Sequence, residues 1–371
     1  MTRHFLKGEA QARFTQDRID IISALAVKVH EHDVRFMVVC GDVFDANEVA
    51  PQTVQRAAEK LATFPVPVFI LPGNHDPLNA ASVYDSAAFT ALPDHISVLR
   101  SSQIHQVPGL PGVEVVAAPW HRKQVLTDLC AEMLEPLTPV AEGDVRIAVA
   151  HGQISSLAAD HQHPATIDSD VVKDALSRGK IHYLALGDRH SVTDCDESGR
   201  IWYSGTPIAT DFTENDPNQV LLVDATVGID PRAQVQPLTI GQWQFEQLHA
   251  SVDNVSDIER LEGKLAAFEN KERVIVRLAL TGALKLDDSA ALNAMIDARR
   301  GLFASLRLHE NQSDLTVLPE SMDLDALSLS GYARNTWDEL TRTAQGSGES
   351  AQIATDALEL FYRIAHRQRQ H

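Results

Sequence analysis

The chain has 371 residues, a formal net charge of −19 and an apolar content of 44%. This length allows two or three domains with a substantial core, and no apolar run approaches the roughly 20 residues that a membrane-spanning helix requires. Proteins that grip nucleic acid through a broad phosphate footprint are usually basic. The acidic balance therefore counts against a generally basic surface, but it is compatible with a metal site built from carboxylates.

The spacing of the cysteines and the first residues of the chain indicate in which cellular compartment the protein works. Cys40, Cys130 and Cys195 are far apart and show no paired spacing, which is typical of a reducing environment without a disulfide framework. The opening MTRHFLKGEAQARF contains no apolar signal core. We therefore expect a cytoplasmic protein with no membrane partner.

Helices and buried strands alternate from the start of the chain. Apolar residues at helical spacing in 16–33 predict a helix, and the apolar run RFMVVC (35–40) predicts a strand that ends in GDVFD. PQTVQRAAEKLA (51–62) predicts a second helix with proline at its start. VPVFIL (66–71) then predicts a second strand, which ends in PGNHD. This alternation is typical of an α/β domain.

The same pattern continues to about residue 225. VRIAVA (145–150) and IHYLAL (181–186) predict strands that are followed by HG and GDRH, and further strand-like segments lie at 201–205 and 219–224. Between these pairs, WHRK (120–123) places three basic residues together. We interpret WHRK as a solvated helix start, with contact to phosphate as the alternative.

The pattern changes after about residue 240. Two helical segments flank VIVRLAL (274–280), which alternates like a half-buried strand. We therefore expect a small second α/β domain over 241–330. Residues 331–371 predict two more helices, joined by the flexible segment AQGSGES (344–350).

Four of the predicted strands end in glycine-containing turns that carry polar side chains. These side chains are Asp42, Asp45, Asn74, His75, Asp76, His151, Asp188 and His190. Ligands of α/β sheets bind beyond the carboxyl ends of the strands, so we expect these residues to share one pocket. Oxygen and imidazole donors without thiolate favour manganese, iron or zinc. Two such cations about 3.5–4 Å apart can clamp the attacking and leaving oxygens of a phosphoester.

Each of these residues has a simpler interpretation when it is taken alone. Asp42 and Asn74 are common turn residues, and His151 after a buried strand is as well explained as a core histidine. These simpler interpretations cannot all hold at once, because the residues at four separate strand ends would then match the ligand pattern of one metal centre, in the same order, by coincidence.

The motifs GDVFD, GNHD, AHG and GDRH resemble, in this order and context, those of the calcineurin-like metallophosphoesterases. Within that family the chain resembles the bacterial SbcD-type DNA repair exonucleases over residues 1–225, including YSGTPIATDFTENDP (203–217). The resemblance implies a four-layer α/β/β/α sandwich over 1–240. It also implies a small capping-like α/β domain over 241–330 and a helical C-terminal segment over 331–371.

The resemblance also implies a metal centre with two divalent ions, manganese being favoured and iron, zinc or magnesium remaining alternatives. By position, Asp42 corresponds to the carboxylate that bridges the two ions. Asn74, His151 and Asp188 correspond to the other ligands of one ion. His190 corresponds to a ligand of the second ion.

Four further residues receive other roles. His75 resembles the family's catalytic histidine, which does not bind metal. Asp45 and Asp76 are given supporting roles, and Arg189 is expected to contact a non-bridging phosphate oxygen.

Two departures from the family pattern matter. The last block usually reads His-x-His, and here Asp188 stands first. The family also opens with a strand that ends in Asp-x-His or Asp-x-Gln, which nothing before Arg35 offers. Either the natural product starts roughly 15–20 residues upstream, a length set by one strand and a turn, or the protein has lost half of its metal centre. We favour the upstream start.

The sequence thus predicts a metal-dependent phosphodiesterase acting on DNA, an SbcD-type exonuclease in DNA repair with single-strand endonuclease activity as an option. Its expected partner is an SMC-like (SbcC-type) ATPase that would dock on the C-terminal helical segment; the alternative is that the apolar faces of these helices pack on the body of the protein. One alternative is a phosphoesterase for nucleotides or other small phosphoesters, which the negative charge favours. Another is a non-catalytic scaffold with a degenerate metal centre. A homodimer remains open.

Overall fold

The computed structural model describes residues 6–158, 163–226, 232–318, 331–346, 348, 350–351, 353–354, 357–358 and 360–361. The chain divides into two compact units, Met1–Trp243 and Gln244–His371. Parts of the predicted 241–330 and 331–371 segments, including 319–330 and 362–371, lie outside the described residues.

The first unit alternates helices and strands, as the sequence predicts. Its helices are α1 (Gly8–Glu31), α2 (Pro51–Leu61), α3 (Ala87–Thr90), α4 (Leu129–Leu134) and α5 (Ser169–Ser177). Its strands are β1 (Met37–Val39), β2 (Val68–Ile70), β3 (Ile96–Val98), β4 (His105–Gln106), β5 (Val113–Ala117), β6 (Val145–His151), β7 (Tyr183–Gly187), β8 (Val192–Asp194), β9 (Ile201–Ser204), β10 (Gln219–Thr226) and β11 (Arg232–Thr239).

These strands form two main sheets and a hairpin. β1, β2 and β3 make a parallel sheet in that order. The larger sheet has the order β4-β5-β6-β7-β9-β8; its inner strands are parallel, and β4 and β8 run antiparallel at its edges. β10 and β11 pair antiparallel.

Three apolar cores lie between the layers. The residues of β2 and the residue that follows it contribute alternately to two of these cores. Val68 and Ile70 pack with residues of α1, α2 and α3, whereas Phe69 and Leu71 pack between the two main sheets. This follows from the two-residue period of a strand, which sends neighbouring side chains to opposite faces. The third core lies between the larger sheet and helices α4 and α5. The result is the predicted α/β/β/α order of layers.

Local sequence signals fix several element ends. Pro51 occupies the first turn of α2, where its missing N–H costs nothing. The carboxylates of Asp128 and Asp168 accept backbone N–H groups at the starts of α4 and α5. Because α4 begins only at Leu129, the WHRK segment does not start a helix, which corrects that prediction; residues 121–123 are exposed, whereas Trp120 is buried.

The second unit is built around one long strand. Its helices are α6 (Val255–Ala266), α7 (Leu286–Arg300) and α8 (Gly331–Ala344), and its strands are β12 (Gln244–Ser251), β13 (Val274–Lys285), β14 (Ser305–Leu308) and β15 (Asp314–Leu318). β12, β14 and β15 all pair with β13 in parallel. Ile275 and Ala279 are as buried as their neighbours in the core with α6 and α7. The prediction of a half-buried strand at 274–280 was therefore wrong.

The C-terminal described residues include one aromatic contact. Trp337 of α8 is buried, and its ring meets that of Phe361 at a centroid distance of 5.7 Å.

No helix among the described residues combines the length and apolar character needed to cross a membrane. All three cysteines are buried and free.

Candidate metal centre

His151 lies where side chains from both main sheets meet. It is the last residue of β6 rather than part of the following turn, and it is buried. Its Nε2 lies 3.2 Å from Asn74 Oδ1, 3.3 Å from Asp42 Oδ2 and 3.9 Å from Asp188 Oδ1. Asp42, Asn74 and Asp188 follow the ends of β1, β2 and β7. The structure thus brings together the four residues that the sequence placed around one cation.

The spacing of these donors can be compared with that of a metal site. Around a cation with ligands at about 2.1 Å, neighbouring donors lie about 3.0 Å apart in octahedral and about 3.4 Å apart in tetrahedral geometry. The distances from His151 to Asn74 and Asp42 fit, whereas Asp188 has to move inward. No three His, Cys, Asp or Glu side chains among the described residues already have metal-site spacing. The set fits a divalent cation only with the Asn74 amide as one donor.

The ring of His151 is oriented by the backbone of the other sheet. Its Nδ1 lies 2.7 Å from the carbonyl oxygen of Cys40, to which it donates, so Nε2 faces the carboxylates. Trp120 Nε1 donates to the His151 carbonyl at 2.8 Å. Burial lowers the pKa of His151, but the hydrogen bond and charge of Asp42 outweigh burial and raise it. A fixed Nδ1 partner of this kind is usual for histidines that bind metal through Nε2.

This contact requires a very close approach of β1 and β7. A Cβ added to Gly187 would lie 1.8 Å from the Cys40 oxygen and 2.8 Å from His151 Nδ1, so only glycine fits there. Asp42, two residues after Cys40, has a φ value of +54°, and Asp188, directly after Gly187, has a φ value of +96°. Backbone strain of this type costs about 1–3 kcal/mol per residue and is concentrated at functional sites.

Asp42 is held as a carboxylate between two turns. Its Oδ1 accepts the backbone N–H of His75 at 3.0 Å, and its Oδ2 faces His151. Burial raises the pKa of Asp42, but the hydrogen bond and charge of His151 outweigh burial and lower it. The residue is therefore ionised at neutral pH and available to a cation.

Asp76 joins the turns after β1 and β2. It is fully buried and accepts N–H groups of Gly73 at 2.7 Å, Phe44 at 3.1 Å and Asp42 at 3.3 Å, together with the hydroxyl of Tyr84 at 2.6 Å. Burial raises its pKa, and these donors act against that rise. Its supporting role is thus to fix the positions of Asp42 and His75. Tyr84 was missed, because no local pattern links it to the motif.

His75 is exposed and its ring is also oriented by a backbone group. Its Nδ1 lies 3.0 Å from the Asp45 carbonyl oxygen, which leaves Nε2 pointing away. The Asp45 carboxylate is 2.8 Å from Arg18 of α1. Burial raises the pKa of Asp45, but Arg18 outweighs burial and lowers it to about 2. Asp45 supports the site through its carbonyl group, while its side chain pairs with Arg18.

His190 and Arg189 are exposed and have other contacts. His190 Nδ1 lies 2.6 Å from Oε1 of Glu214, a carboxylate that sequence reasoning did not single out although it lies in the 203–217 stretch. The hydrogen bond to Glu214 raises the pKa of His190. Arg189 Nε donates to Thr193 Oγ1 at 2.9 Å.

A cleft of about 230 Å³ lies beside the four converging residues. It is lined by Asn74, Trp120, Gly152, Gln153, His163, Ala165, Thr166 and Asp188. The backbone of Trp120 is fixed at this wall of the cleft. Its backbone N–H donates to the Pro72 carbonyl oxygen, and its carbonyl accepts the backbone N–H of Leu78. The exposed basic residues 121–123 follow it directly.

The fold and this constellation define a metallophosphoesterase. The profile of the calcineurin-like phosphoesterase family matches residues 9–223, more than half of the chain. The chain belongs to this family, whose members hydrolyse phosphoesters and usually use divalent metal ions. No curated protein sequence matches the chain.

Two solved structures are each similar over about half of the chain. One crystal structure shares 17% sequence identity and a TM-score of 0.33, covering 51% of this chain and 86% of its own. The Thermus thermophilus protein TT1561 shares 10% identity and a TM-score of 0.35, covering 51% of this chain and 84% of its own. The family assignment rests on the profile and not on these two structures.

Proposed function

We propose that this protein is a metal-dependent phosphodiesterase that acts on DNA, an exonuclease of the SbcD type working in DNA repair in the cytoplasm. The observation that carries the proposal is the convergence of Asp42, Asn74 and Asp188 on His151 from four strand ends. Manganese is the first choice of metal, because the donors are oxygens and imidazoles without thiolate.

The proposal gives the side chains distinct tasks. Asn74, His151 and Asp188 would hold one ion, Asp42 would be shared between the two ions, and His190 would hold the second. When bound, such ions would supply electrophilic polarisation of the phosphoryl group. His75, whose Nδ1 is held by the Asp45 carbonyl, presents Nε2 to protonate the leaving oxygen.

Two features favour a polymeric substrate. The exposed basic residues 121–123 directly follow Trp120, which lines the cleft, and offer local positive charge in an acidic protein. A second α/β unit follows the phosphoesterase unit, and small phosphoesters rarely need one. We also propose that the C-terminal segment 331–371 binds an SMC-like ATPase.

Two alternatives have observations of their own. The net charge of −19 favours a nucleotide or another small phosphoester as substrate. A non-catalytic scaffold is favoured by the ligand count, since only Asp42 and His190 among the described candidate residues are assigned to the second ion.

A test uses the full chain with Mn²⁺ and two substrates, single-stranded DNA and a small chromogenic phosphodiester. We expect His75→Ala to lower hydrolysis about 10²–10⁴-fold, the range of general acid–base catalysis, with bound manganese nearly unchanged. His30→Ala, at the exposed end of α1, is the control and keeps full activity.

The outcomes separate the three functions. Preference for DNA supports the proposal, and preference for the small diester supports the small-substrate alternative. Bound metal without hydrolysis of either substrate supports the scaffold. If the chain binds no divalent metal, or if His75→Ala retains activity, the assigned chemistry is wrong.

A further inference from the structure

Glu214 is a buried carboxylate whose partner is an exposed histidine. Its side chain is 3% exposed, whereas that of His190 is 54% exposed. Besides the 2.6 Å contact with His190, Glu214 Oε2 accepts the N–H of Thr210 at 2.8 Å and Oε1 accepts the Thr210 hydroxyl. Among the described residues, the side-chain hydrogen bonds of this carboxylate are with His190 and with Thr210 of its own loop.

Burial of this charge needs an explanation. An ionised carboxylate loses several kcal/mol of hydration when it is buried, and its partners must offset that loss. If Glu214 formed hydrogen bonds only within its own loop, a neutral side chain at this position would stabilise the loop more. The contact that a neutral side chain would not provide is the charge-assisted hydrogen bond to the His190 ring.

The loop that carries Glu214 is fixed to the His190 segment on both sides. Thr206 N–H donates to the His190 carbonyl at 3.0 Å, and Asn215 N–H donates to Ser191 Oγ at 2.9 Å. Farther along, Asn218 accepts the N–H of Ala209 at 2.8 Å and donates to the Trp243 carbonyl at 2.7 Å. The carboxylate is thus held in place before any ligand binds.

We propose that Glu214 is a positioning residue that fixes the ring of His190 with Nδ1 protonated and Nε2 directed away from the loop, available to the second cation. This inference deepens the proposed function and rests on it for the role of the cation. The geometry of the Glu214–His190 pair is independent of that role.

The first measurement concerns the tautomer of His190 in the metal-free protein. Two-dimensional ¹H–¹⁵N spectra of the histidine rings distinguish Nδ1–H from Nε2–H, and the His190 signal is identified by its loss in His190→Ala. At alkaline pH, where the ring is neutral, we expect the Nδ1–H form in the native protein and a mixture in Glu214→Gln and Glu214→Ala. Glu197→Ala, an exposed residue between β8 and β9, is the matched control and leaves the signal unchanged.

The second measurement is Mn²⁺ binding followed by titration calorimetry. We expect Glu214→Ala to weaken the second equivalent about 10–100-fold, the usual effect of losing a partner of a metal-binding histidine. The first equivalent, assigned to Asn74, His151 and Asp188, should change by less than about twofold. In a His190→Ala background the Glu214 substitution should have no further effect on binding.

These measurements separate the two claims. An unchanged tautomer in Glu214→Ala overturns the positioning role, whatever the metal result. An equal loss of Mn²⁺ binding with and without His190 shows that Glu214 acts through general structure and also overturns it. A native protein that binds no Mn²⁺ contradicts the proposed function, and the tautomer then still decides the role of Glu214.

Discussion

His151 and His190 belong to the same candidate centre, but the chain fixes their rings in different ways. His151 ends a buried strand, and its Nδ1 is held by the backbone carbonyl of Cys40 across the sheet interface. His190 lies on an exposed turn, and its Nδ1 is held by a side chain 24 residues further along. One histidine is positioned by the fold itself, and the other by exchangeable side chains, Glu214 at 2.6 Å and the Thr210 hydroxyl at 3.2 Å.

This difference determines what can disturb each residue. A backbone carbonyl cannot be removed by substitution, so His151 can be displaced only by changing how closely the sheets approach. A carboxylate can be removed without moving any strand. Substitutions around His151 should therefore reduce metal binding and stability together, whereas those around His190 should act mainly on metal binding.

The largest effect is expected from Gly187→Ala. Its Cβ would lie 1.8 Å from the Cys40 oxygen, so the strands must separate and the hydrogen bond to His151 is lost. We expect the free energy of unfolding, measured by urea denaturation, to fall by about 1–3 kcal/mol or more, with loss of Mn²⁺ binding.

The matched control is Gly263→Ala in α6, where the added methyl group meets nothing within 4 Å. Replacing glycine by alanine inside a helix should raise stability by about 0.5–1 kcal/mol. If Gly187→Ala folds and binds Mn²⁺ like the native protein, the idea that sheet spacing positions His151 is wrong.

The next effect in size is expected from Asp76→Asn. One oxygen that now accepts N–H groups would become an NH₂ group facing other donors. An unsatisfied buried polar contact costs about 1–3 kcal/mol, and the turns carrying Asp42 and His75 should loosen with it. Denaturation and Mn²⁺ titration measure the two consequences.

Tyr84→Phe sharpens this prediction, because it removes one donor and leaves the carboxylate intact. Its cost should be smaller, about 1 kcal/mol. Asp170→Asn, whose side chain is 90% exposed, is the matched control and should change stability by at most about 0.5 kcal/mol. Equal effects of Asp76→Asn and Asp170→Asn would show that Asp76 does not join the turns.

The same distinction explains which parts of the site the sequence could predict. Asp42, Asn74 and His151 follow or end apolar strands, and parallel strands in facing sheets bring such ends together. Glu214, Tyr84 and Arg18 were missed, because each is defined by a contact with a distant residue and by no local pattern. A buried carboxylate in a loop looks like any solvated one until its partner is known.

The fold shows a similar limit at β13. The strand predicted from the sequence covers only residues 274–280. In the structure Gly282 has a φ of +133°, and its missing side chain makes room for the Val252 carbonyl. The strand therefore continues to Lys285 and changes partner from β14 to β15. Only the neighbouring strands distinguish this from a turn.

The smallest effect concerns Asp45, whose backbone holds His75 while its side chain pairs with Arg18. Its pKa of about 2 is below the value of about 3.9 in an unfolded chain. A lowered pKa stabilises the folded state above the unfolded value, and that stabilisation is lost as the pH falls from about 4 to 2. The free energy of unfolding should therefore exceed that of Asp45→Asn at pH 6 and converge with it towards pH 2.

The difference should be no more than about 1 kcal/mol, because both side chains are a quarter to a third exposed and such pairs are screened by water. Asp45→Asn keeps the carbonyl that orients His75, so hydrolysis should be unchanged if backbone positioning is sufficient. Loss of activity without loss of stability would instead mean that the Asp45 carboxylate acts on His75 directly, and His75 would then belong with His190 among the residues fixed by a side chain.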